Sequence, residues 1–275
     1  MEITEWTWKT SDGLNLYACR WAPAVAPKAA VVLVHGLGEH IGRYVHVAAA
    51  LTGAGYALLG FDLRGHGKSA GPRGHTPTYD ALLDDISAFL GQVENRYPGV
   101  ARFLYGHSLG ANLVLNYPLR RSSTLCGVIA TGPWLELAFQ PPASRVRLAR
   151  LANRIYPAFS QSNGLKASDL SHDPVVVAAY QNDPLVHEMI SARMFLSLYD
   201  SGLWALAHAA EFPLPLLVMN GSQDALVSAP SARLFAERAG AKATFKGWEG
   251  MYHEIHNESV QAEVFEYMID WLGKH

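Results

Sequence analysis

Apolar runs and amphipathic stretches alternate along the first half of the chain. Ala29–Val34 and Tyr56–Phe61 are continuously apolar, and a third run passes through Phe103-Leu104-Tyr105. Strands buried on both faces of a parallel sheet read this way. Between them the spacing predicts helices over Val45–Ala54 and Thr78–Arg96. The second carries Leu82, Leu83, Ile86, Phe89, Leu90 and Val93 on one helical face. Residues 2–22 alternate around Ser11-Asp12-Gly13, which predicts a β-hairpin with an Asp-Gly turn. Gly127–Ala130 adds a further strand. Strands separated by helices require right-handed crossovers, hence a mostly parallel central sheet flanked by helices.

The rhythm breaks after Pro133. From Trp134 to about Glu211 helix signals appear without a convincing strand, punctuated by Pro141-Pro142, Pro157, Pro174 and Pro184. One stripe there, Val146, Leu148, Leu151, Ala152 and Ile155, is flanked by Arg145, Arg147, Arg150 and Arg154. It reads as an amphipathic helix with a solvated basic face, contact with an anionic lipid surface being the alternative. The strand–helix pattern resumes with Leu214–Met219, Ala229–Ala239, Ala243–Lys246 and Ser259–Leu272. The expected organisation is an α/β body over residues 1–133 and 212–275, with residues 134–211 inserted as a helical cap. Ala111–Leu119 predicts a helix that Pro118 ends or kinks.

Composition narrows the options. The 275 residues are 49 % hydrophobic and 17 % charged, which fits one folded domain with a large core and not a disordered chain. A net charge of −2 without a basic run argues against nucleic acid as a partner. Two cysteines, Cys19 and Cys126, lie in apolar runs and read as buried thiols. The segment MEITEWTWKT lacks the features of a signal peptide, and no apolar run reaches the roughly 18–20 residues of a membrane span. A soluble, cytoplasmic protein is the expectation.

The chemistry centres on Gly106-His107-Ser108-Leu109-Gly110. This G-x-S-x-G pattern follows an apolar strand and precedes a helix, the setting of a nucleophile elbow. A serine hydroxyl needs a base to take its proton and an acid to orient that base. Such groups belong just past strand ends, in the chain order serine, acid, histidine. Asp224 follows the strand at Leu214–Met219, and His253 lies in a glycine-flanked loop after the strand ending near Lys246. His256 is the weaker candidate for base. Asp62 suits anchoring Arg64 or its own loop, while Asp173 and Asp183 suit caps before prolines. Oxyanion donors are expected from Leu109 N–H and from Leu37 N–H in His35-Gly36-Leu37-Gly38. His35 and His107 read as structural.

Other chemistries fit less well. Gly36 to Gly42 has G-x-G-x-x-x-G spacing, which departs from the dinucleotide fingerprint. His253-Glu254-Ile255-His256 is one residue short of a zincin motif. Neither cofactor nor metal is expected. A non-catalytic binding protein on the same fold would normally lack one of the three groups.

Several segments together resemble the monoacylglycerol lipase/lysophospholipase family of α/β-hydrolases. They are His35-Gly-Leu-Gly-Glu-His40 with Gly42-Arg43-Tyr44, Asp62-x-Arg-Gly-His-Gly-x-Ser69, Gly-His-Ser108-Leu-Gly, Asn220-Gly-x-x-Asp224 and Tyr252-His253-Glu254. Ser171-x-Asp-Pro174 and Asn182-Asp-Pro-Leu-Val186 are also similar to this family's cap. Ala111 and Pro118 depart from it. The resemblance implies an α/β-hydrolase fold, Ser108, Asp224 and His253 as triad, and Leu37 and Leu109 as oxyanion hole. It further implies a serine carboxylester hydrolase that cleaves monoacylglycerols or similar acyl esters, such as lysophospholipids and short- or medium-chain esters, through an acyl-enzyme. The apolar residues of the insertion, Trp134, Leu137, Phe139 and Phe195 among them, offer surface to enclose the acyl chain. An aminopeptidase-like amide hydrolase, with Glu136, Glu188 or Asp200 holding a substrate ammonium, is the alternative.

Overall fold

The computed structural model describes residues 1–275. In chain order its first half comprises β1 (Glu2–Lys9), β2 (Asn15–Ala22), β3 (Ala29–Val34), α1 (Val45–Gly53), β4 (Ala57–Phe61), α2 (Tyr79–Arg96), β5 (Ala101–His107), α3 (Leu109–Arg120) and β6 (Gly127–Thr131). Then follow α4 (Ala143–Ile155), β7 (Ser160–Ser162), α5 (Pro174–Asn182), β8 (Met189–Ser191) and α6 (Ala192–Ala207). The chain closes with β9 (Leu216–Gly221), α7 (Ala229–Ala239), β10 (Ala243–Trp248) and α8 (Gln261–Leu272).

Eight strands form one sheet in the order β1-β2-β4-β3-β5-β6-β9-β10. The predicted hairpin supplies the antiparallel β1–β2 pair; β2 also runs antiparallel to β4, and all remaining pairs are parallel. Period-2 alternation explains the two-sided burial. Val32, Val34, Leu104, Val128 and Val218 point to the layer of α2, α3 and α7. Val31, Leu33, Phe103, Ile129 and Leu217 point to that of α1 and α8. This is the α/β-hydrolase architecture expected from the sequence. Because β3 pairs with β4 on one side and β5 on the other, the carboxyl ends of β3 and β5 flank a topological switch point, where α/β sheets bind ligands.

One expectation fails locally. The segment between β6 and β9 does contain strands, since β7 and β8 pair antiparallel over three residues each. Runs as short as Ser160-Gln161-Ser162 carry no periodic signal, and this pair owes its existence to tertiary context. Pro118 lies inside the nucleophile helix, and α3 ends two residues beyond it at Arg120. A proline there forfeits the hydrogen bond to the Val114 carbonyl, at about 3 kcal/mol. Burial of every residue from Leu109 to Pro118 outweighs that loss.

Candidate active site

Ser108 joins β5 to α3 at φ 55° and ψ −114°, and it is the only non-glycine residue with positive φ. A residue with a Cβ adopts this region only when its surroundings enforce it. Here Ser108 N–H donates to the Thr131 carbonyl at 2.9 Å, and its own carbonyl accepts from Asn112 N at 3.0 Å and Trp134 N at 3.2 Å. Glycine is needed on either side for clearance. A Cβ on Gly106 would run into the Gly110 backbone, and one on Gly110 into the backbone of Val34 and His35. The strained turn thus presents the hydroxyl at the carboxyl edge of the sheet. Ser108 Oγ makes no hydrogen bond in this arrangement, to His253 or to any other group; such contacts commonly tighten once substrate binds.

The structure brings the other nominated residues to the same edge. His253 Nδ1 lies 2.7 Å from Asp224 Oδ2, and both side chains are buried. Asp224 is held by Leu226 N at 2.9 Å, Val227 N at 3.0 Å and Asn220 Nδ2 at 3.1 Å. Burial works against ionisation of Asp224, but the facing His253 and these donors hold its carboxyl below the ordinary carboxylate range. Burial likewise disfavours the imidazolium of His253, yet the attraction of Asp224 prevails and raises its pKa. His256 is different. It is buried 5.0 Å from the Tyr44 ring, and burial pushes its pKa down to about 3, so it stays neutral. His107 is also buried and neutral, with Nδ1 3.1 Å from Thr131 Oγ1, the packing role expected of it.

Leu37 N–H belongs to a loop whose neighbours are fixed. His35 Nδ1–H donates to the Gly36 carbonyl at 2.8 Å, while Nε2 accepts from Leu63 N at 2.9 Å. This requires one neutral tautomer, and burial holds His35 in that form. Leu109 is the first residue of α3, so its N–H has no partner within the helix and adds to the positive end of the helix dipole. Asp62 stays apart from this chemistry. It accepts from Ile41 N at 2.9 Å and Lys68 N at 2.8 Å, bracing its own loop against the one after β3. Arg64 pairs instead with Asp85 and Asp12. Asp173 caps α5 through Val175 N, and Asp183 binds Leu185 N and His40.

Beyond the geometry, known proteins give a consistent comparison. The family described as serine aminopeptidase S33 matches residues 25–260. A monoacylglycerol lipase of Mycolicibacterium smegmatis is 33 % identical over 96 % of this chain and 94 % of its own length. The chain belongs to the monoacylglycerol lipase family of α/β-hydrolases. Membership makes it an enzyme of the lipid ester hydrolase class. The crystal structure of a Paleococcus ferrophilus monoacylglycerol lipase superposes with a TM-score of 0.84 at 34 % identity, covering 99 % of this chain and 98 % of that one. An abhydrolase domain-containing protein of Dictyostelium discoideum is 35 % identical over 96 % of the chain, which spans 28 % of that longer protein.

In this family member Ser108, His253 and Leu37 line one cavity of about 700 Å³. Its walls are mostly apolar, with Trp134, Leu137, Phe139 and Phe195 among them as the sequence suggests. Leu135, Leu198 and Leu206 of the same segment pack into the core. The surprise is α4, none of whose residues is buried: Leu148, Leu151 and Ile155 are 66 %, 54 % and 75 % exposed. Its apolar stripe, and not only its basic face, meets solvent. Sequence reasoning also passed over the roles of two acids, Glu39 and Glu254, which line the cavity beside His253 and share Arg43. The signal was present in Glu39 four residues before Arg43 and in Glu254 directly after His253.

Proposed function

We propose that the chain hydrolyses monoacylglycerols and similar single-chain acyl esters through a covalent acyl-enzyme on Ser108. His253 takes the Ser108 proton as the hydroxyl attacks the ester carbonyl and returns it to the departing alcohol. Asp224 keeps the proton of the free imidazole on Nδ1 and stabilises the charged ring. Leu37 and Leu109 N–H groups stabilise the tetrahedral oxyanion, and a water deprotonated by His253 then releases the fatty acid. The observation that carries this reading is the hydrogen-bonded Asp224–His253 pair opening on the same apolar cavity as the strained Ser108. The monoacylglycerol relatives support the ester class.

Residues 134–211 serve in this reading as the cap over that cavity. Small-molecule sites are mostly apolar clefts of about 300–1,000 Å³, and the apolar cavity of about 700 Å³ beside Ser108 falls within that range, as an acyl chain requires. The exposed stripe of α4 with its arginines suits transient contact with an anionic lipid surface, from which a poorly soluble substrate is taken.

An aminopeptidase activity, suggested by the name of the matching family, needs a free carboxylate near Ser108 to hold an ammonium. Asp200 pairs with Arg150 on the surface, Glu136 binds Ser231, and Glu188 lies exposed outside the cavity that Ser108 lines. The carboxylates that do line it, Glu39 and Glu254, are both bound to Arg43. An activity profile over p-nitrophenyl esters and 1-monoacylglycerols of graded chain length, beside an aminoacyl amide, tests the assignment. Ester turnover rising with chain length is expected. Preference for the amide would overturn it.

A further inference from the structure

Arg43 sits in a short 3-10 turn, Ile41–Tyr44, and bridges two loops 211 residues apart in sequence. Its Nη1 donates to Glu39 at 2.6 Å and to Glu254 Oε1 at 2.7 Å, and its Nη2 donates to Glu254 Oε2 at 2.8 Å. The other Glu39 oxygen accepts from Gly36 N at 2.6 Å and from Tyr44 Oη at 2.7 Å. One end of this chain of contacts therefore grips the peptide next to Leu37 N–H. The other end grips the residue bonded to His253. Above the guanidinium lies the Tyr180 ring of α5, 4.8 Å away, so the segment between β6 and β9 closes the assembly.

Stability does not account for this arrangement. One guanidinium and two carboxylates, all buried, lose so much hydration that such groups stabilise a fold little more than apolar residues of the same size. What they supply is geometry, since the planar fork of arginine donates to a carboxylate in one orientation. The sheet needs that help. The Leu37 loop leaves β3 and the His253 loop leaves the edge strand β10, with β5, β6 and β9 between them, a span of roughly 19 Å at the usual strand spacing.

We infer that Arg43 is a positioning residue, fixing the separation of the oxyanion loop from the imidazole of His253 and balancing the two acids beside that ring. The inference rests on the proposed roles of Ser108, His253 and Leu37. His253 faces Asp224 from the loop after β9, Glu254 from its own loop, Glu39 from the loop after β3, and the neutral rings of His107 and His256. Without Arg43, Glu39 and Glu254 would favour the imidazolium unopposed.

The test compares pH profiles of kcat and KM for a soluble p-nitrophenyl ester in the wild type, Arg43→Met, Arg43→Lys, Glu254→Gln and Arg43→Met/Glu254→Gln. Ser108→Ala serves as control. Arg43→Met is expected to lose about tenfold to a hundredfold in kcat, as a misplacement near 1 Å does, with KM within about twofold. Its acid limb should move to higher pH and return in the double variant, while kcat stays low. Arg43→Lys should keep the wild-type acid limb and lose about threefold to tenfold in kcat, because it retains the charge without the fork. A loss carried wholly by KM would make Arg43 a substrate-binding group and overturn the inference, as would unchanged kcat and acid limb in Arg43→Met. Should Arg43→Met fail to melt cooperatively, Arg43→Lys and Glu254→Gln decide: unchanged kcat in the first with an unmoved acid limb in the second is the contrary result. If Ser108→Ala stays active, the triad reading fails first, and the two failures are thereby told apart.

Discussion

At the scale of single residues, the proposed chemistry makes separable demands on Ser108, Asp224 and His253. Ser108→Ala should lower kcat by about 10⁶, the loss typical when a triad nucleophile is removed. Asp224→Asn leaves the shape but presents the wrong tautomer, and should lose about 10⁴. Single-turnover and steady-state assays on the purified variants check both. The pH response follows from the same pair. His253 acts as base only when neutral, and Asp224 raises its pKa, so the acid limb of kcat/KM should fall at higher pH than the ordinary value of about 6.5. Stability runs with the opposite sign. The contribution of His253 is fully present below about 6.5 and is lost as pH rises through its raised folded value. That of Asp224 is present above its ordinary value of 3.8 and is lost as pH falls through its lowered one. Denaturation midpoints across pH for the wild type and His253→Ala would reveal the first effect as a difference shrinking with rising pH. Ser108, Asp224 and His253 were legible as candidates because each follows a strand in a required order, and the structure brings the three to one edge of the sheet. The Glu39–Arg43–Glu254 bridge was legible only in its i,i+4 half, Glu39 with Arg43, since nothing in sequence joins Arg43 to Glu254, 211 residues away.

Among the elements, the elbow shows how local conformation is imposed by packing. Ser108 holds φ 55° because Thr131, Asn112 and Trp134 fix its backbone from three directions. Gly110 lets α3 come against the end of β3. Gly110→Ala should destabilise the fold by about 1–3 kcal/mol through overpacking, read as a lower urea midpoint at unchanged slope. A midpoint equal to that of the wild type would mean the contact relaxes freely. Strands were readable where continuous apolar runs are buried on both faces, as in Val31–Val34. The three-residue β7 and β8 were not, because so short a run holds no period. Pro118 is carried within the last turn of α3 because propensity is a weak prior against ten consecutive buried positions.

For the molecule as a whole, the contrast is between a body packed on both faces of its sheet and a helix, α4, left open at the cavity. No helix is long and apolar enough to cross a membrane. Surface contact through the exposed stripe of α4 belongs to the proposed route of substrate from lipid to Ser108. Leu151→Ser/Ile155→Ser alters exposed positions that do not line the cavity. It should slow hydrolysis of monoacylglycerol presented in anionic vesicles by about threefold to tenfold, since each lost apolar side chain weakens partitioning, and leave a soluble ester unaffected. Equal rates on vesicles in both forms would remove the lipid-contact role. The sequence exposed the amphipathic pattern of this helix, but which face would be covered depended on the packing of α4 against α6, which periodicity does not encode.

The central claim is that Ser108 carries the acyl group. Rapid quenching during turnover of a long-chain p-nitrophenyl ester, followed by intact-mass and peptide analysis, tests it most directly. The account predicts one acyl adduct on the peptide containing Ser108, formed in a burst and absent from Ser108→Ala. An adduct on another residue, or turnover by Ser108→Ala at the wild-type rate, would contradict it.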